Sequence, residues 1–230
     1  MSDPVRVLLI GATGLVGQGV LAAAVDRPAL RLVALGRRAA PLPPGARMEQ
    51  LVIEPAQWPD AIAAARPGVI LLALGTTIAA VGGDRAAFRA VDHDLTLRCA
   101  AAARQAGVAH AILVSSVGAD PDARAFYLAT KGEVERDVAA LGFARLDVLR
   151  PGLLLGRRQG PPRPAERLGM ALAPWLDWVL AGSVSRYRSI PAATVGRAIA
   201  SLAQAQETGH FVHHFREIHS AALGRPGGTG

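Results

Sequence analysis

The sequence predicts an α/β fold, a doubly wound parallel sheet with helices on both faces and a small C-terminal substrate-side segment. Two observations carry this. Short apolar runs alternate with longer helix-forming stretches from Val5 to Leu149, the pattern of strand-helix-strand units joined by right-handed crossovers. Val69 to Leu74 is apolar at every position, as a strand is when helices cover both faces of its sheet.

Val5 to Ile10 is the first strand, Leu15 to Val25 the first helix and Leu32 to Leu35 the second strand. Met48 to Ile53 and Val69 to Leu74 read as further strands, with helices over Pro55 to Ala65 and, rich in Ala and Leu, Arg85 to Ala106. Gly107 stops that last helix, and Ala111 to Val114 is a buried strand ending at Ser115 and Ser116. Tyr127 to Leu141 is a helix closed by Gly142, and Arg145 to Leu149 a strand halted by Pro151 and Gly152. Beyond Gly156 the spacing predicts a basic loop over Arg157 to Pro164, an apolar helix over Leu168 to Leu180 carrying Trp175 and Trp178, and a helix over Thr194 to Ala203 with Thr194 as its N-cap. One domain is expected over residues 1–223, of which about 157–223 is the substrate-side portion, and residues 224–230 form a frayed tail.

Composition excludes several classes. With 51% hydrophobic and 19% charged residues the chain is globular rather than disordered. A net charge of +7 invites nucleic acid, but Arg is spread along the chain and aromatics are only 4% of residues, so no stacking platform accompanies the charge. The first apolar run is strand-sized and no basic leader precedes it, and Pro67 to Gly83 is interrupted and too short to span a membrane. With the lone Cys99, these features predict an unprocessed cytoplasmic protein. His210, His213, His214 and His219 fall in a polar tail without metal-ligand spacing, so no metal is assigned.

Gly11-Ala12-Thr13-Gly14-Leu15-Val16-Gly17 lies between the first strand and the first helix. Glycine there permits a tight turn and close approach of a pyrophosphate, whose charge meets backbone N–H groups and the positive helix end. The spacing is GxxGxxG; its position after a strand and before a helix makes it a dinucleotide signal. The second strand ends Leu35-Gly36-Arg37-Arg38. No carboxylate stands there to hold a ribose 2′-hydroxyl, whereas guanidinium groups grip a 2′-phosphate, so NADP(H) is expected over NAD(H).

Tyr127 and Lys131 lie four residues apart on one helix face. Lys131 is the one lysine among 25 basic residues, and the chain has two tyrosines. Chance would place a sole lysine four residues after a tyrosine about once in a hundred. A phenol is a poor proton shuttle at neutral pH, and a neighbouring ammonium favours its ionised form. Ser116, eleven residues upstream, can donate to a carbonyl oxygen as it gains negative charge. Ser115 is disfavoured for that role because adjacent strand residues face opposite ways.

Together GATGLVG, the strand-end serine, YLATK and Arg150-Pro151-Gly152 resemble the short-chain dehydrogenase/reductases. The ordered set LGTT (Leu74 to Thr77), VDHD (Val91 to Asp94), SSVGAD (Ser115 to Asp120), YLATKGEVE (Tyr127 to Glu135), RPGLLLGRR (Arg150 to Arg158) and IPAATVGRA (Ile190 to Ala198) resembles the atypical branch containing the Tat-interacting protein, over roughly residues 5–220. The resemblance implies a Rossmann fold with NADPH held by Gly11, Gly14, Gly17 and Arg37, Gly75 and Thr76 toward the adenosine, and Pro151 and Gly152 near the nicotinamide. Arg38, Leu74, Thr77, Ser115, Lys131 and Leu153 complete the cofactor set. It implies Ser116, Tyr127 and Lys131 as the catalytic set. Many superfamily members carry Asn in the fourth helix where this chain has Asp92, and the region after Gly156 is short for a nucleotide-sugar substrate.

These readings converge on an NADP(H)-dependent oxidoreductase acting on a small carbonyl-like substrate. Two competing readings use the same motifs: an NADPH-sensing module that presents a surface to a regulatory protein partner, and an epimerase or dehydratase with tightly held cofactor. The basic residues Arg157, Arg158, Arg163 and Arg167 suit an anionic substrate, a partner or solvent; the tryptophan helix suits packing, a substrate cleft, a homodimer contact or a membrane surface.

Overall fold

A computed structural model of the chain describes residues 3–46, 48–156 and 186–225. Seven strands form one parallel sheet in the order β3-β2-β1-β4-β5-β6-β9, where β1 is Val5–Ile10, β2 Leu30–Gly36, β3 Glu49–Val52, β4 Val69–Leu72, β5 His110–Val114, β6 Arg145–Leu149 and β9 Gly209–His213. A two-stranded parallel pair, β7 (Leu154–Leu155) with β8 (Ile190–Pro191), lies beyond β6 in sequence. The doubly wound expectation holds, with the chain reversing direction across the sheet between β1 and β4.

Strand periodicity divides the core. On β1, Val7 and Leu9 face a cluster built with Val20 and Leu21 of α1 (Leu15–Ala24), Val195 and Ile199 of α6 (Ala192–Leu202), and Ile218 of α7 (Phe215–Ala222). Leu8 and Ile10 face the opposite cluster, with Ile62 of α2 (Trp58–Ala65), Ala100 and Ala103 of α4 (Thr96–Gln105), and Val134 and Val138 of α5 (Phe126–Ala140). Successive side chains leave opposite faces, so one apolar strand feeds two cores.

Four expectations are revised. The single helix over Arg85 to Ala106 is three pieces: α3 (Arg85–Arg89), a π-helical turn over Ala90–Leu95, and α4. Asp84 caps α3 by accepting from the amides of Ala86 and Ala87. Composition favoured helix throughout, but the wide turn buries Asp92 and His93. Thr194 does not cap α6: Pro191 precedes its first residue, and Thr194 is buried inside it, accepting from Arg197 Nη2 at 3.0 Å. The histidine tail is instead β9 and α7. His213 is buried in β9 because its Nε2 reaches Asp147 of β6 at 2.7 Å, a partner invisible in local sequence. The start of β2 moves back to Leu30. The basic loop over Arg157 to Pro164, Arg167, the tryptophan helix and residues 226–230 lie outside the described residues.

Candidate functional site

Because the sheet is parallel, the strands end along one edge: Ile10 registers with Leu35 and Leu72, Leu72 with Leu113, and Val114 with Leu149. The glycine loop, Arg37, the Leu74–Thr77 loop, Ser115 and Pro151 therefore leave the sheet at the same side, where doubly wound folds bind ligands.

Gly11 has φ +99°, and a Cβ there would lie 2.2 Å from the Ala73 carbonyl oxygen. Only glycine lets the loop cross so close to the end of β4. A Cβ on Gly17 would lie 2.2 Å from the Gly11 oxygen, so α1 packs directly beneath the turn, and the Gly14 amide donates to that oxygen at 3.1 Å. Gly14 is the N-cap of α1 and no side chain caps the helix. Its first-turn N–H groups are thus free of side-chain acceptors, and Thr13 and Gly14 are exposed at the mouth.

At the end of β2, Arg37 and Arg38 are exposed and make no ion pair among the described residues. Gln50 of β3 fixes the following loop, its Oε1 accepting from the Ala40 amide at 2.7 Å and its Nε2 donating to the Ala40 carbonyl at 3.1 Å. The two guanidinium groups stand on an anchored support.

On α5, Lys131 is buried, and its Nζ lies 2.8 Å from Asp92 Oδ1. The other Asp92 oxygen accepts from the Thr76 amide at 2.7 Å. The Oδ1 contact is a charge contact without the angles of a hydrogen bond. The electrostatic picture drawn from sequence therefore changes: the solitary ammonium carries a buried counter-charge, and Tyr127 neighbours one end of an ion pair rather than a bare cation.

Tyr127 is the second residue of α5 and 36% exposed, with its ring tilted against Phe88, centroids 5.8 Å apart. Ser116 is half-buried and its Oγ donates to the Val117 carbonyl at 3.3 Å. Hydrogen bonds among the described residues do not join the Ser116, Tyr127 and Lys131 side chains to one another. Ser115 is tied into the sheet by its amide, which donates to the Leu149 carbonyl at 2.8 Å, while its hydroxyl is buried with no partner among the described residues. A buried hydroxyl left unpaired costs free energy, and a bound ligand at the strand end would satisfy it.

Three residues outside the sequence-derived set shape this edge. Gly132 follows Lys131, and a Cβ there would lie 2.2 Å from both the Asp120 carbonyl carbon and the Pro121 nitrogen, so the segment carrying Ser116 crosses α5 at backbone contact. Buried Glu135, a turn further on, accepts from Arg150 Nε at 3.1 Å and joins α5 to the Arg150-Pro151-Gly152 turn. Asp92 was visible only as a departure from Asn; its partners come from two other elements.

Away from this edge, Asp147 is fully buried and accepts from His110, His213 and Arg145 at 2.6 to 2.8 Å. Burial pushes its carboxyl up, but those three donors and the Arg145 charge outweigh it and hold the group well below the ordinary carboxylate range. Burial pushes the Cys99 thiol up to about 12, against a smaller opposing effect of Arg98, so it is an inert core side chain. No cluster of metal-ligating residues occurs among the described residues.

A family model described as NAD(P)H-binding matches residues 11–166. The chain belongs to this NAD(P)H-binding family. Among its relatives, protein FMP52, mitochondrial, of Saccharomyces cerevisiae is 43% identical over 154 residues, 66% of each chain. Protein fmp52, mitochondrial, of Emericella nidulans is 40% identical over 175 residues, 73% of this chain and 74% of that one. These names overturn the cytoplasmic expectation, which rested on the lack of a leader pattern and one thiol. Among solved structures, MoeE5 in complex with UDP-glucose and NAD has a TM-score of 0.67 at 19% identity, covering 98% of this chain and 84% of that one. The UDP-glucose 4-epimerase of Thermus thermophilus, complexed with NAD, has a TM-score of 0.67 at 20% identity, covering 95% and 82%. Family and fold together make this an NAD(P)H-binding protein with a Rossmann-type doubly wound sheet.

The site fits a dinucleotide on its own terms. A glycine turn with uncapped amides suits the diphosphate, a buried unpaired hydroxyl points to a missing polar partner, and a buried lysine stands at the same edge.

Proposed function

We propose that the protein is an NADP(H)-dependent oxidoreductase that reduces a small carbonyl-like substrate with Ser116, Tyr127 and Lys131. The observation that carries this reading is the burial of the chain's sole lysine, one helical turn after Tyr127, at the carboxyl edge that also bears the glycine loop. Burying a long ammonium side chain costs free energy unless a carboxylate answers it, and this site provides one.

In this reading the amides of Gly11 to Gly17 and the α1 N-terminus hold the diphosphate, Arg37 and Arg38 grip a 2′-phosphate, and Ser115 offers its unpaired hydroxyl to the cofactor. Bound dinucleotide supplies the hydride. Ser116 turns its hydroxyl from the Val117 carbonyl to the substrate oxygen, and Tyr127 delivers a proton to that oxygen. Lys131 keeps positive charge near the phenol and donates to ribose hydroxyls. Mitochondrial residence, carried over from the relatives' names, belongs to the same proposal; organelle fractionation of the native host, or of a eukaryotic host expressing the chain, checks it.

The decisive variant is Tyr127→Phe. With a panel of small aldehydes and ketones followed by NADPH absorbance, turnover should fall by about 10²-fold or more while NADPH affinity changes by less than about threefold. Turnover equal to wild type removes Tyr127 from the mechanism. A wild-type protein that binds NADPH and reduces nothing in a broad panel contradicts the oxidoreductase reading.

A further inference from the structure

The amino edge of the sheet, opposite the glycine loop, holds a second constellation. A cavity of about 210 Å³ opens there between the starts of β1, β4, β5 and β6 and the loop from α6 to β9. Val69 and Ala203 are buried at its floor, while Gly68, Ala109 and Ala144 are exposed at its mouth, so most of the lining is small and apolar. Two polar side chains interrupt that lining, His110 at 7% and Arg145 at 6% exposure. Both are tied to Asp147, whose carboxylate is saturated: Oδ1 accepts from Arg145 Nη2 and His213 Nε2, and Oδ2 from Arg145 Nε and His110 Nε2. Arg145 spends one N–H of Nη1 on the Glu207 carbonyl at 2.7 Å. A guanidinium has further donors, so one N–H on each Nη remains without a hydrogen-bond partner among the described residues. His110 likewise keeps Nδ1 uncommitted among the described residues.

The other charges nearby are accounted for: Arg6 of β1 pairs with Glu49, His213 of β9 sits on the same Asp147 carboxylate, and Glu207 is exposed on the loop. Arg145 and Asp147 cancel, so an anion entering the cavity leaves the cluster one negative charge in excess unless an imidazole takes a proton. His110 is the imidazole on the cavity wall, and histidine changes charge around neutral pH. Protonated, it keeps its Nε2 bond to Asp147 and turns Nδ1 into a donor.

We propose that this cavity binds a short-chain monocarboxylate, its carboxylate held by Arg145 and by His110 protonated at Nδ1, its tail against Val5, Val69 and Ala203. The volume lies below the roughly 300 to 1,000 Å³ of ordinary ligand pockets, which admits a short acid and excludes a nucleotide. The apolar lining favours an acid with a tail over a bare inorganic anion. Binding takes up a proton, so affinity rises as pH falls. The site lies on the opposite edge from the glycine loop and does not depend on the dinucleotide reading.

Butyrate is the probe, titrated into the isotope-labelled full chain and followed by amide chemical shifts. At about pH 6 it should move the amides of Gly68, Ala109 and Ala144 along one saturating curve, and at about pH 8 its Kd should be at least fivefold weaker. Formate, with the same charge and no tail, should bind at least fivefold more weakly than butyrate. Butyramide, with the tail and no charge, should bind at least tenfold more weakly. Ala144→Leu fills the mouth and should weaken butyrate at least tenfold. His110→Gln keeps a donor for Asp147 but takes no proton, so its butyrate affinity should differ less than twofold between the two pH values.

No saturable shift at those amides, or unchanged butyrate affinity in an Ala144→Leu protein folded by circular dichroism, overturns the proposal. Formate binding as tightly as butyrate overturns the tail, and butyramide binding as tightly overturns the charge. A fivefold pH dependence retained in folded His110→Gln also overturns it, because the proton would then sit on another group. If either variant does not fold, the wild-type series decides: equal butyrate affinity at both pH values, or no preference for butyrate over formate and butyramide, contradicts the site.

Discussion

Replacing Gly132 by alanine tests how the serine segment is held on α5. In an ordinary helix interior the change stabilises by about 1 kcal/mol, because alanine loses less backbone entropy. Gly132 lies within α5 and its backbone is not left-handed, so that gain is available. Against it stands a Cβ 2.2 Å from the Asp120 carbonyl carbon and the Pro121 nitrogen. Both are backbone atoms, so no rotamer relieves the clash and the segment must retreat by about 1 Å to reach ordinary contact. Overpacking of this kind costs about 1 to 3 kcal/mol. The net expectation is a loss of up to about 2 kcal/mol, or a few degrees in Tm at about 2 to 4 °C per kcal/mol for a chain of this size. Urea unfolding of Gly132→Ala beside wild type measures it. The displaced segment includes Ser116, and a shift of about 1 Å at a positioning group can cost about 10²-fold in turnover. A Gly132→Ala protein that is more stable by about 1 kcal/mol, with unchanged turnover, would refute the packing argument.

Other consequences follow from individual groups. Arg37→Ser and Arg38→Ser should each be titrated with both dinucleotides: a charge-assisted bond of about 1.5 to 3 kcal/mol implies that whichever arginine grips the 2′-phosphate loses at least about tenfold in NADPH affinity with NADH unchanged, and equal losses for both cofactors would contradict that role. Asp147→Asn leaves Arg145 buried without its counter-ion and should cost about 3 to 5 kcal/mol in urea unfolding; a change under about 1 kcal/mol would contradict the hub. Since the folded carboxyl of Asp147 lies below its ordinary value, its contribution is complete above about pH 4 and is lost as pH falls from there toward the folded value. Stability of wild type should therefore drop more steeply below about pH 4 than that of Asp147→Asn, and parallel acid curves would exclude the linkage.

The fold was legible wherever the signal was local. Continuous apolar runs marked the inner strands, and Gly107 and Gly142 marked helix ends, both with positive φ in the structure. Local signals failed where a distant partner decides. His213 reads as part of a polar tail until Asp147 of another strand is placed beside it, and the helix over Arg85 to Ala106 reads as continuous because a π-helical turn has no compositional mark. At the candidate site, the placement of Tyr127 and Lys131 one turn apart on a single helix was legible, since α5 covers both. In sequence Asp92 stands out only as a departure from Asn, because its partners Thr76 and Lys131 come from separate elements. Gly132 carries no local mark in the sequence, because its constraint comes from Asp120 and Pro121, folded back across α5.

Whether this glycine turn and the arginines beside it bind a phosphorylated dinucleotide is tested most directly by isothermal titration of the purified protein with NADPH and then NADH. One site per chain is expected, with NADPH at least about tenfold tighter, a difference of about 1.4 kcal/mol. NADH binding as tightly as NADPH would contradict the role of Arg37 and Arg38, and a flat trace for both would contradict the site itself.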